Sequence, residues 1–61
     1  MLANEYEYKG FDIEIHTHPI YHDFEFVVKK DGDVKYTNIT FYDCKEDAER
    51  AAELEIYLSE N

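Results

Sequence analysis

The sequence has little proline, glycine or cysteine and no tryptophan: one Pro, two Gly and one Cys in 61 residues. A single cysteine excludes a disulfide within the chain, so covalent cross-links do not support this small domain. No glycine-rich phosphate-binding loop is present. No apolar run approaches the roughly 18 residues of a membrane-spanning helix, and no signal-peptide pattern appears near the start. With one free thiol, these absences predict a cytoplasmic protein without a membrane partner, located in the host cytoplasm if the chain is viral.

Positive charge is also scarce. The chain has 15 acidic and 6 basic side chains, and its formal net charge is −9. Such a protein repels phosphates, so nucleic acid is not expected as a direct partner. A basic protein surface, for example that of a nucleic-acid-binding protein, is the partner that this charge favours. The alternative is that the acidic surface only keeps a small protein soluble.

The clearest pattern is a C-terminal helix over residues 44–58. Asp43 and Glu46 have the spacing of a capping box, which predicts a helix that begins at Cys44. With the period of an α-helix, one apolar stripe runs along this segment. The stripe contains Cys44, Ala48, Ala51, Ala52, Leu54 and Leu58. Because the stripe is rich in alanine, the helix is expected to pack closely on a sheet.

Alternating apolar residues predict three strands, at about 10–17, 23–30 and 34–41. Residues 1–4 are predicted to be a frayed end, and the change of apolar parity at Lys9-Gly10 predicts a bulge or a bend. Between the first two strands, the favoured register sets Ile13 opposite Val28 and Ile15 opposite Phe26. The other register would place two glutamates directly opposite each other.

The turn at residues 30–33 predicts a three-residue hairpin with a Gly bulge, which would set Val34 opposite Val28 and Tyr36 opposite Phe26. A second parity change predicts an irregularity near Thr37-Asn38. The fold class is therefore a single α+β domain over residues 1–61. It is a three-stranded antiparallel β-sheet, a β-β-β-α meander, with one C-terminal helix packed on one sheet face. Besides the helix stripe, the predicted core contains Phe11, Ile13, Ile15, Phe24, Phe26, Val28, Tyr36, Ile39 and Phe41.

Few residues suggest chemistry. His16, His18 and His22 are close in sequence and could form a metal-binding or pH-responsive cluster, but polar hairpin histidines are more often solvated or paired, so no metal or cofactor is predicted. Cys44 lies in the first helical turn, where a thiolate is favoured, but its place on the apolar stripe predicts a buried, inert thiol. Since no catalytic constellation appears, the chain is predicted not to be an enzyme.

The arrangement of acidic residues is more informative. Asp12, Glu14, Asp23 and Glu25 are predicted to project from the uncovered sheet face, with same-face neighbours ~6.8 Å apart along a strand and ~5 Å apart across strands. Further partner-binding candidates are Glu49 and Glu53 on the helix, and Tyr6, Tyr8 and Tyr21, which the predicted core does not need. The sequence thus predicts a small, non-enzymatic protein-binding module whose acidic face docks on a basic surface, in the manner of a nucleic-acid mimic.

Two resemblances bear on function. The segments FEFVVKKDGDVKY and TFYDCKEDAERAAELEIYL resemble the hairpin-then-helix pattern of HicB-type antitoxin domains over about half the chain. The chain lacks the Pro-Asp-Leu-Pro-Gly segment expected there, so no antitoxin residues are carried over. In its compact, very acidic build the chain is similar to small phage inhibitors of the anti-CRISPR and anti-restriction kinds. A structural homodimer, through a strand edge or the open sheet face, is a further alternative.

Overall fold

The computed structural model describes residues 1–38 and 40–60, and shows an antiparallel sheet packed against one C-terminal helix. The elements are β1 (Leu2–Tyr8), β2 (Phe11–Thr17), β3 (Phe24–Lys30), β4 (Asp33–Thr37) and α1 (Lys45–Glu60). Neighbouring strands along the chain are neighbours in the sheet, in the order β1-β2-β3-β4. The predicted α+β class is confirmed, but the sheet has four strands, so the prediction of three is wrong.

The additional strand, β1, contains three of the four residues predicted to fray, those at positions 2–4. Lys9 and Gly10 form a tight turn with positive φ angles of 52° and 85°. The two-residue connection pairs Tyr8 with Phe11 and Tyr6 with Ile13. In this two-residue hairpin every even-numbered residue of β1 lies opposite an odd-numbered residue of β2. The shift of the apolar residues from even to odd positions therefore marks a turn between two strands and not a bulge.

The predicted register of β2 and β3 is confirmed. Ile13 lies opposite Val28 and Ile15 opposite Phe26, which keeps four apolar side chains on one face. A slip of one residue would have moved this whole set to the solvent side.

The predicted turn after β3 is in the right place but of the wrong type. Asp31 and Gly32 both have positive φ, 54° and 84°, as in a two-residue type I′ turn, and Lys30 pairs with Asp33. The irregularity lies further along, where Val28 pairs with Tyr36 and Lys29 pairs with Val34. Tyr36 therefore faces Val28 and not Phe26.

Beyond β4, the chain still forms hydrogen bonds with the backbone of β3, although it is no longer a regular strand. The Asn38 side-chain oxygen accepts a hydrogen bond from the Phe26 N–H at 2.7 Å. Tyr42 and Phe24 exchange two backbone hydrogen bonds, of 2.8 and 2.9 Å. The predicted third strand therefore ends at Thr37, where an irregularity was expected, and the chain returns to the sheet at Tyr42.

Among the described residues, eight apolar side chains are buried between the sheet and α1. They are Phe11, Ile13, Ile15, Phe26, Val28, Ala48, Ala52 and Ile56. The three helix residues recur every fourth position, so one narrow face of α1 meets the sheet. All of this core was predicted except Ile56. Phe24, Tyr36 and Ala51 pack partly buried against it, and Ile39 lies outside the described residues.

Four residues of the predicted core or stripe point elsewhere. Leu54, Leu58 and Phe41 are each more than half exposed, and Cys44 is exposed one residue before the helix begins. The helix is rotated relative to the prediction, because the bulky Ile56 is buried instead of the two leucines. The expectation of a buried thiol at Cys44 is also wrong, because Cys44 precedes the helix and is exposed.

Candidate protein-binding surface

Because side chains alternate along a strand, β1, β2 and β3 place acidic residues on the sheet face opposite α1. Among the described elements, none packs on that face. We call it the acidic sheet face and define it by five carboxylates. They are Glu5, Glu7, Asp12, Glu14 and Glu25.

The hairpin of β1 and β2 sets like charges directly opposite each other on this face. Glu5 pairs with Glu14, and Glu7 pairs with Asp12. Such cross-strand neighbours lie about 5 Å apart, and like charges at that distance destabilise a sheet. The fold thus concentrates negative charge where a neutral or mixed pair would be more stable.

Within the described part of the chain, Glu14 is the one member of the face with ionic partners. His16 Nε2 lies 2.9 Å from Glu14 Oε1, and Lys29 Nζ lies 3.0 Å from Glu14 Oε2. These hydrogen bonds, first that of His16 and then that of Lys29, lower the pKa of the Glu14 carboxyl. Glu14 is therefore ionised and held in place at neutral pH.

In the described structure, four other basic side chains form ion pairs or cation–ring contacts away from this face. Lys45 pairs with Glu49 at 3.4 Å and Arg50 with Asp47 at 3.8 Å, both on the helix. Lys9 lies over the rings of Tyr8 and Tyr57, at 5.8 and 5.7 Å from their centroids, and Lys30 lies 4.8 Å over the Phe11 ring.

Four carboxylates of the acidic sheet face are consequently left without an ion pair. In residues 1–38 and 40–60, no cationic nitrogen lies within 4.0 Å of Glu5, Glu7, Asp12 or Glu25. Lys29, opposite Asp12, and His16, opposite Glu25, lie on the same face, so the negative charge without a basic neighbour across the strands is concentrated at Glu5 and Glu7.

The helix acids predicted to bind a partner make internal contacts instead. Glu49 accepts a hydrogen bond from Asn4 Nδ2 at 2.7 Å, and Glu53 accepts one from the Tyr6 hydroxyl at 2.7 Å. Burial and the bond to Glu53 raise the pKa of Tyr6 well above its ordinary value. These two contacts fasten α1 to β1, so Glu49, Glu53 and Tyr6 are not part of the acidic sheet face.

The remaining predicted tyrosines differ from each other. Tyr8 packs half-buried against the core, so the view that the core does not need Tyr6 and Tyr8 is wrong. Tyr21 is 72% exposed in the loop between β2 and β3, where its ring lies 5.5 Å from that of His18. Of the three, only Tyr21 presents its side chain mainly to solvent.

Asp23 lies at the base of that loop. Its backbone oxygen accepts bonds from the His18 N–H and the Thr17 hydroxyl, both at 3.1 Å. One of its carboxylate oxygens is buried and has no hydrogen-bond partner among the described residues. Asp23 thus organises the loop and is set apart from the acidic sheet face.

The histidines are not gathered into one site. His16 contacts Glu14, whereas the His18 ring packs edge-on to Phe41 with centroids 6.2 Å apart, and His22 is exposed with φ of 59°. In the described part of the chain, no group of three His, Cys, Asp or Glu side chains is placed to hold a metal ion. Nor does that part contain a helix with the length and apolarity needed to cross a membrane.

Glu5 and Glu7 are site residues that the sequence reasoning missed. Their signal was the alternation Glu5-Tyr6-Glu7-Tyr8, which has the period of a strand with a polar and an aromatic face. The three predicted strands begin only at residue 10, so the prediction did not place these two acids on the sheet.

Comparison of the chain with protein-family models, with curated proteins and with solved structures finds no match. The resemblance to HicB-type antitoxin domains therefore stays a prediction.

Proposed function

We propose that the protein is a small, non-enzymatic binding module that docks its acidic sheet face on a basic surface of another protein. The observation that carries the proposal is the set of four carboxylates, Glu5, Glu7, Asp12 and Glu25, which share one open face and have no ion pair within the described structure. The net charge of −9 adds long-range attraction to a cationic partner.

The like-charge pairs explain why a partner would bind here and not elsewhere on the acidic surface. Glu5 opposite Glu14, and Glu7 opposite Asp12, repel each other in the free protein. A lysine or arginine inserted between two such carboxylates removes the repulsion and gains charge-assisted hydrogen bonds. The free energy that the sheet loses to this arrangement is thus recovered on binding.

The same geometry favours a partner surface that normally binds nucleic acid. Carboxylates spaced ~5 Å across strands and ~6.8 Å along them form a regular negative array, to which a groove built for phosphates is complementary. Binding should then be competitive with an oligonucleotide. This is the sense in which the module would act as a nucleic-acid mimic and inhibitor.

The experiment compares two variants of equal net charge. A sheet-face variant carries Glu5→Gln, Glu7→Gln and Asp12→Asn, and a matched helix-side variant carries Asp43→Asn, Glu46→Gln and Glu55→Gln. Wild type and both variants, each shown to be folded by circular dichroism, are immobilised and exposed to native lysate at low and high salt. Retained proteins are then identified by mass spectrometry.

We expect a basic protein that is retained by wild type and by the helix-side variant, lost from the sheet-face variant, and released at high salt or by an oligonucleotide. If both variants retain the same proteins, only net charge matters and the acidic sheet face is not a docking site. Retention that is unchanged by salt would also contradict the proposal.

A further inference from the structure

The sheet ends at β1 with an edge that no other described element covers. In the strand order β1-β2-β3-β4, β1 pairs with β2 on one side only. It is a strand of 7 residues, which is long enough to form several hydrogen bonds with a further strand. The opposite edge is less suited to such pairing, because β4 has 5 residues, carries Lys35 and is interrupted by a shift of register opposite Val28 and Lys29.

The register of β1 identifies the backbone groups that lie along this edge. Thr17 exchanges hydrogen bonds of 2.7 and 3.0 Å with Met1, and the two-residue turn makes Phe11 another bonded position. The odd-numbered residues of β2 therefore bond to β1, whereas the even-numbered ones bond to β3. Because Glu5 and Glu7 lie opposite even-numbered residues, their backbone N–H and C=O groups point away from β2.

Glu7 has the open donor of this edge. The Glu5 N–H already donates to the side-chain oxygen of Asn4 at 2.9 Å. In the described structure, neither the Glu7 N–H nor the C=O groups of Glu5 and Glu7 have a hydrogen-bond partner. An antiparallel strand added here would exchange two hydrogen bonds with Glu7 and donate one to the Glu5 carbonyl.

The side chains of the same two glutamates select a basic strand. Each has an acid opposite it on β2, no neighbour on its outer side, and no lysine or arginine within β1. The adjacent Lys9 is engaged with the rings of Tyr8 and Tyr57. Residues opposite each other in a sheet share a face, so lysines or arginines at alternate positions of an added strand would lie beside Glu5 and Glu7. A second copy of β1 would instead set glutamate opposite glutamate, which is unfavourable.

We infer that the outer edge of β1 is the place where a partner protein adds an extended basic segment to the sheet, with lysine or arginine at alternate positions. The inference rests on the proposed function and names the part of the partner that makes the contact. In such strand addition, main-chain hydrogen bonds supply affinity and the alternating side chains supply specificity. Basic arms also bind nucleic acid, so a segment held on β1 is withdrawn from that role.

Three synthetic peptides of equal charge test the edge on the full chain at low salt. The parent peptide alternates lysine and threonine, and the other two carry backbone N-methyl groups on their lysines or on their threonines. When the lysines lie opposite Glu5 and Glu7, the lysine N–H groups donate to β1 and those of the threonines point away. We expect the parent and the N-methyl-threonine peptide to bind with a dissociation constant on the order of 100 μM, and the N-methyl-lysine peptide to bind about tenfold more weakly or worse.

Two further measurements locate the bound peptide. The parent peptide at saturation should slow hydrogen exchange of the Glu7 N–H by about tenfold. The variant Glu5→Gln, Glu7→Gln should bind the parent about tenfold more weakly, whereas the matched variant Asp12→Asn, Glu25→Gln, of the same net charge, should lose about threefold or less.

Equal affinities of the two N-methylated peptides would overturn the inference and leave the proposed function standing, because lysines would then bind the acidic sheet face without pairing with β1. Absence of binding by every peptide, or equal weakening by the two variants, would also overturn the inference, and retention from lysate then decides the proposed function separately. Protection of the Glu7 N–H that increases with the concentration of the free chain would show that a second copy covers the edge, and the basic segment would be ruled out.

Discussion

At the scale of single residues, Glu14 connects the acidic sheet face with the stability of the sheet. It is the carboxylate of that face with two hydrogen-bond partners, His16 on its own strand and Lys29 on the next. It also lies opposite Glu5, whose charge opposes its own. The contacts with His16 and Lys29 lower the pKa of the Glu14 carboxyl even though its burial opposes them.

This balance predicts a dependence of stability on pH. A carboxyl group whose pKa is lower in the folded state contributes stability above its unfolded pKa of about 4.3, and this contribution is lost as the pH falls through the folded pKa. Glu14→Gln should therefore lower the free energy of unfolding by about 1 kcal/mol at pH 7 and by progressively less below pH ~4.3. Urea denaturation of both proteins between pH 7 and 3 measures this difference.

The control repeats the comparison in a Lys29→Met background. Without the lysine, one cause of the lowered pKa of Glu14 is missing. The loss of unfolding free energy caused by Glu14→Gln should therefore be smaller, and what is left of it comes from the contact with His16. A wild type and a Glu14→Gln variant that differ by the same amount at every pH would show that the carboxylate contacts do not form in solution.

At the scale of elements, sequence patterns were reliable where one residue type alternated over a whole segment. The strict alternation of Phe11, Ile13 and Ile15, and of Phe26 and Val28, was enough to predict β2, β3 and their register. Such segments have one apolar face, and only one pairing buries it.

The elements that were wrongly predicted depend on longer-range contacts. Tyr6 and Tyr8 of β1 pack half-buried against the core, and α1 supplies Glu49 and Glu53 as hydrogen-bond acceptors for Asn4 and Tyr6. The rotation of α1 is likewise set by how Ile56 fits the sheet, which helical periodicity alone does not decide. The acidic sheet face was therefore only partly predictable, since β1 contributes Glu5 and Glu7 to it.

The packing of α1 predicts different stabilities for variants of two residues near its C-terminal end. Ile56 is fully buried, whereas Leu58, two positions later, is 61% exposed. Ile56→Ala should lower the free energy of unfolding by about 2–4 kcal/mol, which is a large part of the total stability of a domain of this size. The matched Leu58→Ala should change the free energy of unfolding by less than about 0.5 kcal/mol. Urea denaturation of both variants measures these changes in the free energy of unfolding. Equal losses would show that Leu58 packs against the sheet as much as Ile56 does.

At the scale of the whole molecule, the charged side chains fall into two groups, those with contacts inside the fold and those without an ion pair. The cations with assigned contacts hold the fold together, through ion pairs on α1 and Glu14 and through the rings of Phe11, Tyr8 and Tyr57. Four of the five carboxylates of the acidic sheet face have no ion pair within the described structure, so like charges repel each other in the free protein. Stability and partner binding should consequently respond to salt in opposite directions.

The stability of the protein without a partner should therefore rise with ionic strength. Screening of the net charge of −9 and of the cross-strand acid pairs should raise the free energy of unfolding by about 1 kcal/mol between 0.02 and about 0.5 M NaCl. The variant Glu5→Gln, Glu7→Gln should be more stable than wild type at low salt and nearly equal to it at high salt, because it lacks the repulsion that salt screens. Thermal unfolding of both proteins across this range is the measurement. If salt destabilises the wild type, ion pairs dominate its electrostatics and the acidic sheet face has no repulsion for a basic partner to relieve.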